Sequence, residues 1–530
     1  MIDPYYIILT PIFIAAVFYL IPYNKVKYPA VLVQTALLAA VIINYLFVRE
    51  NGQQVISIGK FGPIALISYR CDIISSLLLV LTAFIFLALM IFNLPKEYMN
   101  SLFLFLMMVI QSLLMGIFIS NDLFNIYVMY EVSIIVVSIL IMFKKEPSSI
   151  YDGFMYLMIN IVAMLFYLLG IGMLYRIFGS LDLLVIKGRM SMIQDPSSLI
   201  IPYSLIITAV SLKTALMPLF SWLPNAHASK GSPSIVSALL SGLYVKGSIY
   251  LFIRISDMFM PKIDMSQFFV VMGILTGIVG FILAVSQKDI KLILAYSTIS
   301  QLGLIMTGIN SMNEFAFYGS IYHILNHAFF KTALFLTAGI ISDAYGTRNI
   351  NRIKGLFKSM PSITFITLAS ILGITGAPLF NGSISKYMMQ EAGSFADYSI
   401  MLINLGTIII FIKYSSMFFG KSNLGHQKVN LLRTVTSCIL SLMCFAGGIF
   451  GRELVSLLFR IHIDIHPLEY LDKSLIFLIS LLAGYLIYSL LVRRSKLMEK
   501  VRRFELGFND VCISIILFFI VTAAVTFLKH

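Results

Sequence analysis

The segment Ser211-Leu-Lys213-Thr-Ala-Leu-Met-Pro218-Leu-Phe220-Ser-Trp-Leu-Pro224 is apolar, yet it carries a lysine and two prolines. Proline in mid-span frees backbone groups that lipid cannot satisfy. Such backbone persists where protein buries it or where it lines a hydrated cavity. A second segment has the same character: Gly373-Ile-Thr-Gly376-Ala-Pro378-Leu-Phe380-Asn-Gly382-Ser-Ile-Ser-Lys386. Either one alone is compatible with a simple proline kink. Together they share Pro-Leu-Phe about 160 residues apart. A second echo, Gly153-x2-Tyr156-x3-Asn160 and Gly319-x2-Tyr322-x3-Asn326, precedes them in the same order.

Working outward, the 530 residues are 59% hydrophobic and only 12% charged. The mean hydropathy is +0.94. These values exclude an ordinary soluble domain and predict an all-α polytopic membrane protein of about fourteen to sixteen transmembrane helices, at about 20 residues each. The first apolar run, 5–22, has an acidic flank and no small-residue cleavage site, so it reads as the first span. The two echoes divide the chain into residues 1–98 (spans one to three), 99–257 (spans four to eight), 258–420 (spans nine to thirteen) and 421–530 (spans fourteen to sixteen). Five spans is an odd number, so the second repeat is expected to be inverted. Inverted repeats with paired broken helices mark transporters. Between the last spans, 452–471 reads as an interfacial stretch carrying His462 and His466.

The net charge of +14 invites a nucleic-acid reading, but its distribution does not support one. With both termini on the outer side, roughly twenty Lys/Arg fall in inner loops and about eleven in outer loops, the positive-inside bias. The densest run, Arg493 to Arg503, suits anionic headgroups. The four cysteines show no metal spacing, and no glycine-rich phosphate loop is present. No flavin, iron–sulfur or nucleotide cofactor is expected.

Inside the apolar stretches lie Glu131, Lys213, Lys246, His323, His327, Lys331 and Lys386. A lysine or aspartate costs about 2.5–3.5 kcal/mol at mid-bilayer on insertion scales. Opposite charges in low dielectric hold each other ionised, so Glu131 with Lys213 would make a gate if they are close. Histidine suits proton relay, and His323 and His327, four apart, share one helix face with Lys331. Zinc is the rival for that pair, but no third ligand is nearby in sequence. Lys413 reads as structural, and Arg70 and Asp72 as interfacial.

Four stretches carry a resemblance: Lys213 to His227, Pro233 to Lys246, Asp289 to Gly303, and His323-Ile-Leu-Asn-His327-Ala-Phe-Phe-Lys331. They resemble the antiporter-like proton-translocating subunits of respiratory complex I, of Mrp-type cation/proton antiporters and of membrane-bound hydrogenases. The resemblance covers about residues 70 to 420 and implies a fourteen-helix core with two inverted five-helix repeats, broken at spans seven and twelve. It implies that Glu131 and Lys213 form the coupling pair. Lys246, His323 and His327 would relay protons, and Lys386 would connect to the far side. Three features depart from the family pattern. Leu292 stands where a second basic residue is frequent. The loop Ala228-Ser-Lys230-Gly-Ser-Pro233 is not acidic, which is more like the D-type Mrp subunit or its hydrogenase counterpart. Spans fifteen and sixteen exceed the core and are expected to replace or bind a neighbouring subunit.

The expected function is therefore proton translocation within a multisubunit Na+/H+ antiporter of the plasma membrane, with other membrane subunits, protons, Na+ and lipid as partners. No catalytic chemistry beyond ion movement is expected. The alternatives are the proton-pumping subunit of a redox-driven complex, a structural subunit whose charges only specify packing, and a stand-alone transporter.

Overall fold

The computed structural model describes residues 3–58, 67–391, 393–422, 424–461, 467–493, 495–504 and 506–529. Thirteen of the described helices are long and apolar enough to cross a membrane. Three shorter apolar helices, Pro4–Tyr19, Ser197–Lys213 and Pro361–Thr375, occupy the remaining expected spans. All sixteen expected segments are helical. Spans seven and twelve are the broken ones: Ser197–Lys213 then Trp222–Ala228, and Pro361–Thr375 then Asn381–Met389. Within 452–471, where an interfacial stretch is expected, a short helix forms at Gly451–Phe459 and span fifteen begins at Pro467. His462 and His466 lie outside the described residues.

The two five-span units echo one another closely. Span six (Pro147–Phe178) and span eleven (Glu314–Tyr345) are both 32 residues long and lie 167 residues apart. Each ends on a left-handed glycine, Gly179 (φ 66°) and Gly346 (φ 62°), which closes the helix without a Cβ penalty. Leu123 N–H donates to Leu181 O and Leu183 N–H to Asn121 O. At the same separation, Ile290 N–H donates to Arg348 O and Ile350 N–H to Lys288 O. Asp122 and Asp289 cap the helices that begin there, spans five (Leu123–Ile141) and ten (Ile290–Ile309).

Spans nine (Ser266–Ser286) and ten meet backbone to backbone. A Cβ on Gly303 would lie 2.3 Å from Gly277 N, so only glycine permits this approach. Span fourteen (Leu431–Ile449) packs on spans three (Ile73–Asn93), eleven and twelve. Span fifteen (Pro467–Ile487) leans on span thirteen (Ser394–Ser415), and span sixteen (Phe508–Lys529) on spans six and seven.

One element has no counterpart in the sequence reading. Between spans two (Tyr23–Asn51) and three, strands β1 (Gln54–Ile58) and β2 (Ile67–Cys71) pair antiparallel. Ser68 docks this hairpin on the inter-span loops through Asn121 and Asp182. Beside it Asp72 caps span three and pairs with Arg254 (2.7 Å) and Arg70 (3.4 Å). Burial raises the Asp72 carboxyl, but Arg254, the Ser75 N–H and Arg70 outweigh it and hold the group below the usual carboxylate value.

Candidate functional site: a polar line through the helix bundle

The two breaks are built by the same logic. Each frees backbone groups in an apolar surrounding, and side chains satisfy them. At the first, Ala215 takes φ 53° and Met217–Pro218 is cis. Trp222 Nε1 donates to Leu212 O (2.8 Å), Ser248 to Lys213 O (2.9 Å), and Met217 N–H to Thr276 Oγ1 (2.9 Å). At the second, Gly376 and Leu379 take φ 78° and 68°. Lys386 Nζ donates to Ile374 O (2.5 Å), and Leu379 N–H to the Tyr470 hydroxyl (2.9 Å).

Lys213 ends the first half of span seven and is fully enclosed. Its Nζ has no hydrogen-bond partner among the described residues. It sits over the rings of Tyr130 (5.2 Å to the centroid) and Tyr244 (6.0 Å), whose π faces attract a cation. Glu131, on span five, is half-buried and lies next to an outward stripe of Val128, Val132 and Ile135. Glu131 and Lys213 are within Coulomb reach but form no direct ion pair. The expected pair is thus brought to one region without contact. Tyr244 joins it to the bundle through Ser133 (3.1 Å) and Tyr156 (3.0 Å).

Lys246 follows a π-helical turn, Leu240–Tyr244, inside span eight (Ser234–Phe259). Such a turn bulges one residue out of the helix and re-aims the side chains after it. Lys246 Nζ donates to Ser241 O and meets His327 Nδ1 at 2.6 Å. With lysine as the donor, His327 carries its own proton on Nε2. Span eleven sets the His323 and His327 ring centroids 6.4 Å apart. His323 Nε2 faces Gln301 Oε1 (3.0 Å) and its Nδ1 faces Ser385 Oγ (2.8 Å). Gln301 spends its amide N–H on Thr407 (2.9 Å), so its oxygen accepts. His323 therefore donates from Nε2 and accepts from Ser385. The next residue, Lys386, also donates to Asn404 Oδ1 (2.6 Å) beside a cavity of about 250 Å³.

Thus Lys246, His327, His323 and Lys386 lie in one buried succession, and Lys213 sits over the ring of Tyr244, two residues before Lys246. Lys331 turns aside to Leu294 O (2.9 Å) and Ser297 Oγ (2.5 Å) on span ten. Lys413 donates to Val285 O (2.7 Å) and to Gln287 O. It caps the carboxyl end of span nine, a structural role that favours a cation. Sequence reasoning assigns no role to Gln301, Ser385, Asn404, Tyr130 or Tyr244. Only their adjacency to charged side chains flags them. His227, stacked on Phe335 (4.9 Å), is likewise buried, and neither ring nitrogen has a hydrogen-bond partner among the described residues.

A helical bundle with two broken spans, each holding a buried lysine, and a titratable succession between them defines a multi-pass membrane protein of the antiporter-like class. Residues 120–413 match the family described as NADH:quinone oxidoreductase/Mrp antiporter, transmembrane region, and the chain belongs to that family. It is 27% identical over 392 residues to the D-type subunit of the Na(+)/H(+) antiporter of Alkalihalophilus pseudofirmus, covering 72% of this chain and 78% of that one. It is 32% identical over 355 residues to the N-type subunit of the NADH-quinone oxidoreductase of Desulforudis audaxviator, covering 63% and 69%. Its fold matches a chain of the Mrp complex of a Dietzia species with TM-score 0.80 at 20% identity, covering 95% of this chain and all of that one.

Proposed function

We propose that this chain is the proton-conducting subunit of a multisubunit Na+/H+ antiporter in the plasma membrane, with both termini outside and its two five-span units inverted relative to one another. Protons pass from Lys246 through His327 and His323 to Lys386. Neutral imidazole accepts at one nitrogen and releases from the other, so two histidines on one face can hand a proton along. The Glu131–Lys213 pair opens and closes the line. Its separation in this structure is consistent with the open arm of such a gate, in which neither charge holds the other at contact distance. Glu131 stands beside exposed Val128 and Ile135, a surface that a neighbouring subunit would cover. The observation that carries the reading is the 2.6 Å contact between Lys246 and His327, which joins the two repeats.

Lys246→Ala in the assembled complex tests it. Proton-coupled transport should fall by roughly two orders of magnitude in membrane vesicles, with insertion and assembly unchanged. Normal transport would remove the central relay.

A second reading, the membrane arm of a redox-driven pump, is favoured by the 32% identity to an oxidoreductase subunit. Purifying the complex in mild detergent decides between them. Only small hydrophobic companions would support the antiporter, whereas iron–sulfur or nickel proteins would support the pump.

A further inference from the structure

Span fifteen lies beyond the fourteen-helix core and is loosely held, with only 11% of its apolar window buried. It packs on span thirteen, but its polar contacts gather at the second break. The Tyr470 hydroxyl accepts from Leu379 N–H (2.9 Å), a backbone group that the break leaves without a helical partner. Ser383 spends its own proton on Phe380 O, so Tyr470 donates to Ser383 Oγ (3.2 Å). One turn on, Lys473 Nζ lies 3.7 Å from the ring centroid of Tyr387, the neighbour of Lys386. Tyr470, Lys473, Ser474 and Ser480 fall on one face of the helix, while Leu471, Leu475, Leu478 and Leu482 face outward. A polar face on a membrane span needs a polar neighbour. Here it closes the 250 Å³ cavity that Lys386, Asp397 and Asn404 line from the other side. The cavity lies at the end of the bundle that carries the β-hairpin. The helix Gly451–Phe459 packs on the second half of span twelve, and Arg460 bonds to Arg49 O where span two ends.

We infer that span fifteen is the outer wall of a hydrated port through which Lys386 exchanges protons with the hairpin side, and that Tyr470 is a positioning residue holding the second break open towards it. The inference rests on the proton-conducting reading above. It gives this chain a self-contained port, where the sequence alone suggests that the extra spans serve a neighbouring subunit. Lys386, Tyr387, Asp397 and Lys473 are the titratable groups around Tyr470 in the port.

The test uses the intact complex in sealed vesicles, with Cys71, Cys438, Cys444 and Cys512 replaced by alanine. Ser474→Cys and Ser480→Cys should react with a membrane-impermeant methanethiosulfonate from the face at which hairpin Val55→Cys reacts. Lipid-facing Leu482→Cys should not. Two unreactive serine positions, or reaction from the opposite face, would overturn the port. Tyr470→Phe should lower transport about fivefold. It should also shift the dependence on pH in the port-side compartment and leave that of the other side unchanged. A wild-type rate and profile would overturn the positioning role. Lys386→Ala separates the two ideas. Normal transport there refutes the parent reading, whereas a dead Lys386→Ala with unreactive serines refutes the port alone.

Discussion

The breaks in spans seven and twelve have the same design and opposite surroundings. The first is sealed: Trp222, Ser248 and Thr276 satisfy its backbone from within the body, and Lys213 is enclosed by two phenol rings. The second is satisfied partly from a peripheral helix, by Tyr470, and its lysine borders a cavity. A repeated fold can thus hold one lysine shut and the other against open space, because the neighbours differ while the backbone motif does not. On the proposed function, that asymmetry would let protons leave the line at the Lys386 end.

The largest effect that would break the comparison is the loss of its middle, Lys246→Ala, with its fall of roughly two orders of magnitude in transport. The next sharpens it. Lys213→Arg adds volume and a planar fork to a sealed pocket, whereas Lys386→Arg has a cavity to enter. We expect transport by Lys213→Arg to fall about tenfold below that of Lys386→Arg, since overpacking costs about 1–3 kcal/mol. Equal rates in vesicle assays would mean that the first pocket is not sealed during turnover. Gln301→Leu removes the acceptor that sets the His323 tautomer and should slow transport about fivefold at unchanged assembly, read as initial proton flux. Thr276→Val leaves Met217 N–H without its partner. It should lower stability in detergent by about 1–3 kcal/mol, measured by thermal unfolding, while sparing the Lys386 side. The smallest effect is on acid stability. Asp72 is held below its unfolded value, so its contribution is complete above that value and fades as pH falls through the folded one. Asp72→Asn should flatten this acid limb, with a loss of about 1 kcal/mol near neutrality; an unchanged melting profile from acid to neutral pH would show that the Arg254 contact contributes nothing.

Much of this is legible because lipid is an unforgiving solvent. Runs of apolar residues near span length, and charges interrupting them, are visible in one dimension, so the helices and the lysines and histidines stand out in the sequence. The repeat is legible only as two weak echoes. The structure adds its matched hydrogen bonds, since backbone geometry recurs where side chains have drifted. The hairpin is not legible, because two five-residue strands outside the bilayer leave little pattern. Spacing alone groups Lys331 with the relay; the structure adds that its Nζ bonds Leu294 O and Ser297 Oγ on span ten.

By itself the sequence determined the membrane class, the sixteen helices, the two breaks and which ionisable groups lie in apolar surroundings, because each follows from local composition and helical period. Only the tertiary structure decided which of those groups meet. That Lys246 reaches His327, that Gln301 orients His323, that Glu131 and Lys213 stand apart, and that Tyr470 completes a distant break all depend on helix packing between residues far apart in the chain. Packing places side chains to within a hydrogen-bond length, and no periodicity in the sequence carries that information.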